Sequence, residues 1–211
     1  MSTVTRPERT RLLEAMLEEL VEKGYQEVRV ESAIRRARLV GEEWPRRFPD
    51  KDACLVAAFD ELAEQLRTAI CKGCASAEDW PARVAGGLHA LLAQLSSRAE
   101  MAEALARTFP SIGPAAQARY QTFVEGLAPL LVEGREFSGI ATELPREVEM
   151  LAVGAAEAIV FAEIQAGRTG DLQAIGPQIL FSILAPFIGS AAAAAAMRSA
   201  ERDWEANVWP G

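Results

Sequence analysis

Apolar residues recur at helical spacing along almost the whole of this 211-residue chain. Near the N-terminus, Leu13, Met16, Leu17 and Leu20 follow the i, i+3, i+4, i+7 pattern of an amphipathic helix, and Gly24 can end that helix. The sequence contains no run of alternating apolar and polar residues bounded by hairpin turns, which is the pattern of a strand. The pattern therefore predicts an all-α protein of about nine helices.

The first fifty residues predict a three-helix head. A short helix over residues 30–37 follows the first helix, and a turn over residues 38–41 separates it from a second short helix that ends at Phe48. Two helices joined by a short turn are the helix-turn-helix arrangement. We therefore predict a helix-turn-helix domain over residues 1–50 and a helical body over residues 51–211.

The body is predicted to consist of helices separated by proline and glycine. Asp50 can cap a long helix that ends at Lys72 and Gly73, because a late lysine followed by glycine is typical of a helix terminus. The remaining segments are a helix opened by residues 80–81, a shorter helix over 97–109, a loop over 110–114, and helices over 115–133, 144–167 and 172–198. Pro186 is expected to kink the last helix, since proline removes one helical hydrogen bond.

The composition is that of a soluble globular protein. Half of the residues are apolar and a quarter are charged, so the chain can bury a core and is not intrinsically disordered. The N-terminus lacks the apolar segment of a secretory signal, and three cysteines are a small and odd number for a disulfide scaffold. We therefore expect a cytoplasmic location.

One segment has the composition of a membrane span. Residues 172–197 carry no charge and are longer than the roughly twenty residues that cross a bilayer. The strongly apolar part, however, covers only residues 179–188, contains Ser182 and Pro186, and is followed by an alanine-rich stretch. We therefore favour a helix buried in a protein core or interface, with no membrane contact.

The net charge of −8 is distributed unevenly. Residues 1–50 hold ten basic and ten acidic groups, so the whole excess of acid lies in residues 51–211. The stretch 35–47 has five arginines against Glu42 and Glu43, a local charge of +3. An acidic body joined to a neutral head with one basic patch is compatible with nucleic-acid binding by the head alone.

Motifs of catalysis and metal binding are missing from the sequence. It has one histidine, His89, no G-x-S-x-G, no phosphate-binding glycine loop and no H-E-x-x-H. Cys71 and Cys74 form a C-x-x-C, a spacing found in redox and zinc sites, but the second pair that structural zinc needs is missing. We expect neither an enzyme nor a bound metal or cofactor, while a redox role of the two cysteines stays open.

A set of residues in the first third of the chain carries a family resemblance. The set consists of Leu12-Leu13-Glu14-Ala15, Gly24-Tyr25, Val30, Ile34, Ala37, Arg47-Phe48-Pro49-Asp50-Lys51-Asp52, Leu55 and Ala57-Ala58-Phe59-Asp60. Over about residues 8–62 the sequence resembles the N-terminal domain of TetR/AcrR-family transcriptional regulators. More loosely, residues 144–189 are similar to the two C-terminal helices of many members.

The resemblance implies a ligand-responsive transcriptional regulator, in its simplest form a repressor. The last two helices would form a homodimer interface, and the helices before them would enclose a pocket for a small apolar inducer. A dimer would place two recognition helices in the major groove of operator DNA. The residues expected at the DNA are Arg36, Arg38, Glu42, Glu43, Trp44, Arg46, Arg47 and Lys51.

The expected recognition helix departs from the family pattern. Pro45 disfavours helical conformation at Trp44, and Glu42 and Glu43 place negative charge where phosphates would approach. Arg29 stands where the family has a capping threonine. The alternative hypothesis is a TetR-like ligand-binding or interaction protein whose head has lost tight DNA binding.

The resemblance also implies a ligand site in the body. Its expected residues are Leu88, Leu92, Phe109, Tyr120, Phe123, Leu127, Glu157 and Phe161. For each apolar residue taken alone, plain core packing is the stronger interpretation. Glu157 is the informative member, because it interrupts an otherwise apolar helix and would favour a cationic group on the apolar ligand if it faced inward.

Overall fold

In a computed structural model of the chain, residues 6–40, 44, 47–75, 77–137 and 144–205 are described. These residues are almost entirely helical and include no strand, so the all-α prediction is confirmed. The helices are α1 Arg6–Glu27, α2 Val30–Arg36, α3 Lys51–Cys74, α4 Trp80–Ser97, α5 Ala99–Ile112, α6 Pro114–Glu125, α7 Gly134–Phe137, α8 Val148–Gln165 and α9 Leu172–Glu205. Short 3₁₀ turns cover Ala128–Leu131 and Thr169–Asp171.

The first helix breaks at Gly24, as the sequence predicts. Gly24 has a φ of 73° and a ψ of 169°, which lies outside the helical region, although the helical segment continues to Glu27. A positive φ costs glycine little because it has no Cβ. Arg29 then occupies the N-cap position of α2 and makes no capping hydrogen bond with its side chain, as expected for a residue without a capping oxygen.

The chain divides into two compact units. The first comprises the residues up to Gln65 together with Glu100–Arg119, and the second comprises Leu66–Ala99 together with the residues from Tyr120 onward. The boundary between units therefore falls inside α3, a helix that the sequence assigns as a whole to the body. The predicted boundary at residue 50 separates the chain by expected function and stays a prediction.

The core of the first unit is built mainly from α1. Its apolar face is almost fully buried and packs against α2, as the helical spacing predicts. The buried side chains of this unit include Leu12, Leu13, Met16, Leu20, Ala33, Trp44, Cys54 and Leu55. Burial of large apolar side chains is the main stabilising contribution to such a unit.

The core of the second unit forms where α9 packs against α4 and α8. The ring of Trp80 lies edge-on to that of Phe187, with 5.3 Å between their centroids, and both side chains are at most 2 % exposed. At the end of α3, a Cβ added to Gly73 would lie 2.3 Å from the Gly86 carbonyl oxygen. The backbones of α3 and α4 can therefore approach this closely only because residue 73 is glycine.

Several predicted helix ends differ from the observed ones. Helix α3 ends one residue later than predicted, and α5 continues through Pro110, which is exposed near its end, so that only Gly113 separates it from α6. The helix predicted over residues 115–133 ends at Glu125, because Pro129 has no N–H to donate to the Glu125 carbonyl. The loop predicted over 110–114 is therefore wrong, and the segment after Glu125 is not one helix.

The kink in the last helix lies at Gly189 and not at Pro186. Gly189 has a φ of 77° and a ψ of 160°, whereas both Pro177 and Pro186 are accommodated within the helix. Proline has a φ close to the helical value and costs a helix one hydrogen bond, while a positive φ needs glycine. The helix also runs to Glu205, seven residues beyond the predicted end at Arg198.

Among the described residues, one helical stretch, Thr169–Trp204, is long and apolar enough by length and composition to cross a membrane. Its side chains at Leu172, Leu180 and Leu184 are completely buried inside the chain. The core helix of a soluble protein has the same length and composition. This stretch is therefore weak evidence for a membrane span.

Candidate DNA-binding head and candidate ligand site

The start of α3 is fixed by a capping interaction, as the sequence predicts. The backbone N–H of Ala53 donates to Oδ1 of Asp50 over 2.7 Å. Immediately before it, the N–H of Phe48 donates to the Trp44 carbonyl over 3.0 Å, which is one hydrogen bond of helical spacing. The cap and this hydrogen bond together position Lys51 at the junction between the head and the long helix.

Lys51 connects the junction to the end of α1. Its Nζ donates to the Tyr25 carbonyl over 2.6 Å and lies 4.1 Å from the centroid of the Tyr25 ring. The Tyr25 hydroxyl in turn donates to Oδ1 of Asp52 over 2.9 Å, and this hydrogen bond raises the pKa of Tyr25. One of the three donors of Lys51 is therefore used within the chain, and two remain for a phosphate.

Arg36, expected at the DNA, contacts three glutamates of α1 instead. Its guanidinium forms a bidentate ion pair with Glu22, lies 3.1 Å from Glu19 and 3.4 Å from Glu18. The ion pair with Glu22 raises the pKa of Arg36. A guanidinium surrounded by carboxylates has little net charge to offer a phosphate, so these ion pairs argue against a DNA contact through Arg36, which stays a prediction.

Trp44, also expected at the DNA, is 1 % exposed and therefore fills the core of the first unit. Its side chain cannot reach a base edge while the head keeps this fold. The sequence carries a signal for this outcome, since a large aromatic residue followed four positions later by Phe48 has the spacing of a helix face turned to the core. A DNA contact through Trp44 stays a prediction, and its burial argues against it.

Basic side chains do remain exposed on the head. Arg38 and Arg47, both predicted, are exposed, and neither has an ion-pair partner among the described residues. Arg29 and Arg35 are exposed as well, although Arg29 was not predicted to contact DNA. Its position directly before α2 and the excess of arginine in this part of the chain could have indicated it. Four further residues of interest, Glu42, Glu43, Pro45 and Arg46, lie outside the described residues.

In the second unit, the structure brings together three of the residues expected at the ligand. The Tyr120 hydroxyl donates a short hydrogen bond to the Glu157 carboxylate, and the Phe161 ring centroid lies 6.3 Å from that of Tyr120. Burial and the neighbouring carboxylate raise the pKa of Tyr120 far above its usual value. The three side chains thus form a half-buried cluster, the Tyr120 cluster, with one polar pair beside an aromatic ring.

The other residues expected at the ligand occupy different places. Leu88 and Leu92 are buried, and Leu92 lies against Gly176, where an added Cβ would come within 2.8 Å of its side chain. Phe123 and Leu127 are half-buried, and Leu127 precedes a 3₁₀ turn instead of belonging to a long helix. Phe109 belongs to the first compact unit, where its ring centroid lies 4.6 Å from that of Phe59.

The described part of the chain contains no group of three His, Cys, Asp or Glu side chains that could hold a metal ion. Cys71 is exposed, Cys74 is half-buried and Cys54 is buried, and all three are free thiols. Burial raises the pKa of Cys54 to about 12. The cysteines are therefore separate thiols without the ligand set of a zinc site.

Helix α8 exposes an apolar surface that the chain itself does not cover. Leu151 is 64 % exposed, and Ala155, Ala158 and Ala162 are exposed at the spacing i, i+4, i+7, i+11 from it. These four residues lie on one face of the helix because their spacing follows the helical repeat. We call this face the α8 stripe.

Comparisons with known proteins agree with the fold. No protein-family model matches the sequence, and no curated protein matches it. Among solved structures, the chain is similar to the fatty acid degradation regulator FadR from Bacillus halodurans, with a TM-score of 0.71, 18 % identity, and coverage of 86 % of this chain and 97 % of that one. It is also similar to a protein from Syntrophomonas wolfei described as a TetR-family transcriptional regulator, with a TM-score of 0.55, 16 % identity, and coverage of 81 % and 95 %.

The chain therefore has a TetR-like all-helical fold. The resemblance stated from the sequence is confirmed at the level of the fold. At 16–18 % identity, the similarity to the two solved structures shows the fold and not the roles of individual residues.

Proposed function

We propose that this protein is a ligand-responsive transcriptional regulator, acting in the cytoplasm as a repressor that binds operator DNA as a homodimer. A small apolar molecule bound by the second unit would release it from DNA. The observation that carries the proposal is the TetR-like fold combined with a head whose Arg38 and Arg47 are exposed and without ionic partners among the described residues. Such side chains are what phosphate contacts require.

DNA binding is tested by a fluorescence polarisation titration with the DNA that flanks the coding region of this protein. We expect salt-sensitive and sequence-dependent binding. Replacing both Arg38 and Arg47 by alanine should weaken binding at least tenfold and reduce the slope of log affinity against log salt by about 1 per lost phosphate contact. The double variant Arg107→Ala, Arg119→Ala is the charge-matched control, since these side chains are 61 % and 60 % exposed on α5 and α6.

The titration also decides between the two functions considered. A wild-type protein without salt-sensitive, sequence-dependent binding at micromolar concentration would contradict the repressor proposal. The alternative, a TetR-like ligand-binding protein that has lost tight DNA binding, would then be favoured. Its support is that Arg36 is neutralised by glutamates and Lys51 is partly used by Tyr25.

The Tyr120 cluster supports an apolar ligand without a cationic group. Glu157 already accepts a hydrogen bond from Tyr120, so its carboxylate has a partner inside the chain. One structurally similar protein is a regulator of fatty acid degradation, which makes fatty acyl compounds the first class to examine. An apolar chain beside Phe161 would gain the free energy of burying its own surface.

Ligand binding is tested by thermal unfolding with three classes of compound: fatty acyl compounds, alkylammonium compounds of matched length, and small hydrophilic anions. We expect the acyl compounds to raise the unfolding midpoint the most. Phe161→Ala should reduce this shift, whereas the control Phe137→Ala, at a side chain that is 49 % exposed beside Trp80, should not. Stabilisation by the hydrophilic anions alone would count against the proposal.

The α8 stripe supports homodimerisation. A second copy of the chain would cover Leu151 and the alanines, whose small side chains allow two helices to approach closely. Sedimentation should show a dimer at micromolar concentration and a monomer for Leu151→Glu. Val40→Glu is the control, because Val40 is 93 % exposed and belongs to the first unit, whereas α8 belongs to the second. A wild-type monomer under these conditions would contradict the proposed dimer.

A further inference from the structure

The Cys71-Lys-Gly-Cys74 segment has no part in the proposed DNA or ligand site. Both cysteines belong to the last turn of α3, and Cys74 is the last residue of that helix. Cys71 is exposed to solvent, Cys74 is half-buried, and both are free thiols. The segment therefore presents one accessible thiol and, three residues later, one protected thiol.

Cys71 and Cys74 are three residues apart at the end of the same helix, and a disulfide requires that last turn to tighten. Residues three apart on an α-helix have Cβ atoms about 5–6 Å apart, whereas a disulfide needs about 3.5–4.5 Å. A last turn that tightens to 3₁₀ geometry closes this gap, because residues i and i+3 then lie over each other. The Cys71 carbonyl accepts a hydrogen bond from the Ala75 N–H over 3.0 Å, and the tighter turn replaces this last helical hydrogen bond by one from the Cys74 N–H.

The side chain of Cys74 packs closely against a glycine of the neighbouring helix α4. A Cβ added to Gly87 of α4 would lie 2.6 Å from Sγ of Cys74, so the sulfur lies directly against the Gly87 backbone. Gly73 contacts the Gly86 carbonyl in the same way. Burial raises the pKa of Cys74, which keeps it protonated at neutral pH. A reagent from solvent therefore meets Cys71 first.

We propose that Cys71 and Cys74 form a reversible dithiol–disulfide couple that exchanges with low-molecular-weight disulfides such as oxidised glutathione. The Cys71 thiolate attacks one sulfur of the oxidant, forms a mixed disulfide and releases one thiolate. Cys74 then gives its proton to solvent and attacks the Cys71 sulfur, which releases the second thiolate. The two cysteines lose two electrons, the oxidant gains them, and the two released thiolates take up the two protons.

Oxidation has a structural consequence at the crossing of α3 and α4. The new bond draws Sγ of Cys74 away from Gly87 and so removes its packing contact. A disulfide stabilises a protein by lowering the entropy of the unfolded chain, and this effect is small for a short loop such as this one. It therefore offsets only a small part of the lost packing contact. We therefore expect the oxidised protein to unfold at a lower temperature than the reduced protein.

The couple is tested on the full chain equilibrated in mixtures of reduced and oxidised glutathione. After an acid quench, the free thiols are alkylated and located by mass spectrometry. Cys71 and Cys74 should lose reactivity together and regain it together on reduction. Cys54, which is 0 % exposed, should stay reduced and serves as the internal control. The thermal midpoint should fall on oxidation in the wild type and stay unchanged in Cys71→Ser.

Single variants separate the two steps. Cys74→Ser should trap glutathione on Cys71 as a stable mixed disulfide, and Cys71→Ser should leave Cys74 without an adduct. Three outcomes would overturn the proposal: a stable glutathione adduct on wild-type Cys71, disulfide-linked pairs of chains through Cys71, or an intramolecular disulfide that forms only in urea. None of these measurements depends on DNA or ligand binding, so the result stands apart from the proposed function.

Discussion

Nε of Arg36 lies 3.1 Å from Oε1 of Glu19, a carboxylate that is only 3 % exposed. Lys23 contacts the same carboxylate from one turn further along α1. Burial by itself raises the pKa of Glu19, but hydrogen bonds with Lys23 and Ser32 and the charges of Lys23 and Arg36 more than offset this, so that the pKa is lowered overall. An arginine that could face DNA is therefore used to pair a buried charge that would otherwise be costly.

We predict that Arg36→Met lowers the midpoint of urea unfolding. Methionine keeps much of the length of the side chain but leaves Glu19 with Lys23 as its remaining cationic partner, so the buried carboxylate is less well compensated. Arg35→Met, one residue earlier on the same helix and exposed, is the control and should leave the midpoint unchanged. Equal midpoints for the two variants would show that the ion pair does not hold α2 to α1.

Trp44 is predicted to act through the core of the head and not through DNA. Trp44→Ala should cost about 3–5 kcal/mol of unfolding free energy, as removal of a buried aromatic side chain does. Trp44→Phe should cost less and leave the affinity for operator DNA unchanged. Urea unfolding and polarisation titration measure the two quantities. A Trp44→Phe variant with normal stability and weakened DNA binding would restore Trp44 as a contact residue.

Two glycine substitutions are predicted to have opposite effects. Gly73→Ala should destabilise the protein by about 1–3 kcal/mol, because the new Cβ overlaps the Gly86 carbonyl in a close-packed crossing. Gly154→Ala, inside α8 with no atom within 4 Å of the added Cβ, should stabilise it by about 0.5–1 kcal/mol. Urea unfolding of both variants checks the pair. A neutral Gly73→Ala would mean that α3 and α4 separate without cost.

The protein is predicted to lose stability at alkaline pH through Cys54. Its pKa is about 12 in the folded protein against an ordinary value of 9.0, so the unfolded chain releases this proton first. The stability that the neutral Cys54 thiol contributes is fully present below pH 9.0 and is lost as the pH rises towards 12, because ionisation of the thiol then favours the unfolded state. The free energy of unfolding of Cys54→Ala, measured over this range, should depend less steeply on pH.

The control for this experiment has to allow for other groups that ionise at alkaline pH. The pKa values of Tyr25 and Tyr120 are also raised, so both variants and wild type keep some alkaline dependence above pH 10. Cys71→Ala removes an exposed thiol and should retain the full wild-type slope. If Cys54→Ala also retains the full wild-type dependence on pH, the prediction is contradicted. The Cys54 thiol would then ionise as readily in the folded protein as in the unfolded chain.

Much of the fold could be predicted from local sequence signals. The helical spacing of apolar residues, the cap at Asp50 and the break at Gly24 depend on contacts within a few residues, and the structure has each of them. Two of the wrongly predicted breaks have a common physical cause. Proline was expected to interrupt helices at residues 110 and 186, whereas the chain tolerates both prolines and breaks where glycine adopts a positive φ.

The candidate sites were only partly predictable, because side-chain partners come from distant parts of the chain. The sequence placed Arg36 and Trp44 in the head and Lys51 at the start of the body, but neighbouring side chains decided that Trp44 is buried and that Arg36 pairs with α1. The hydrogen bond between Tyr120 and Glu157, residues 37 positions apart, could not be predicted from the sequence for the same reason.

By itself, the sequence determined an all-helical chain and its resemblance to the fold of TetR-family regulators, because these follow from periodicity and short motifs. Only the tertiary structure decided which charges are paired and which remain exposed. The reason is physical: helix formation is governed by hydrogen bonds between residues four apart, whereas burial and ion pairing depend on which helices pack together.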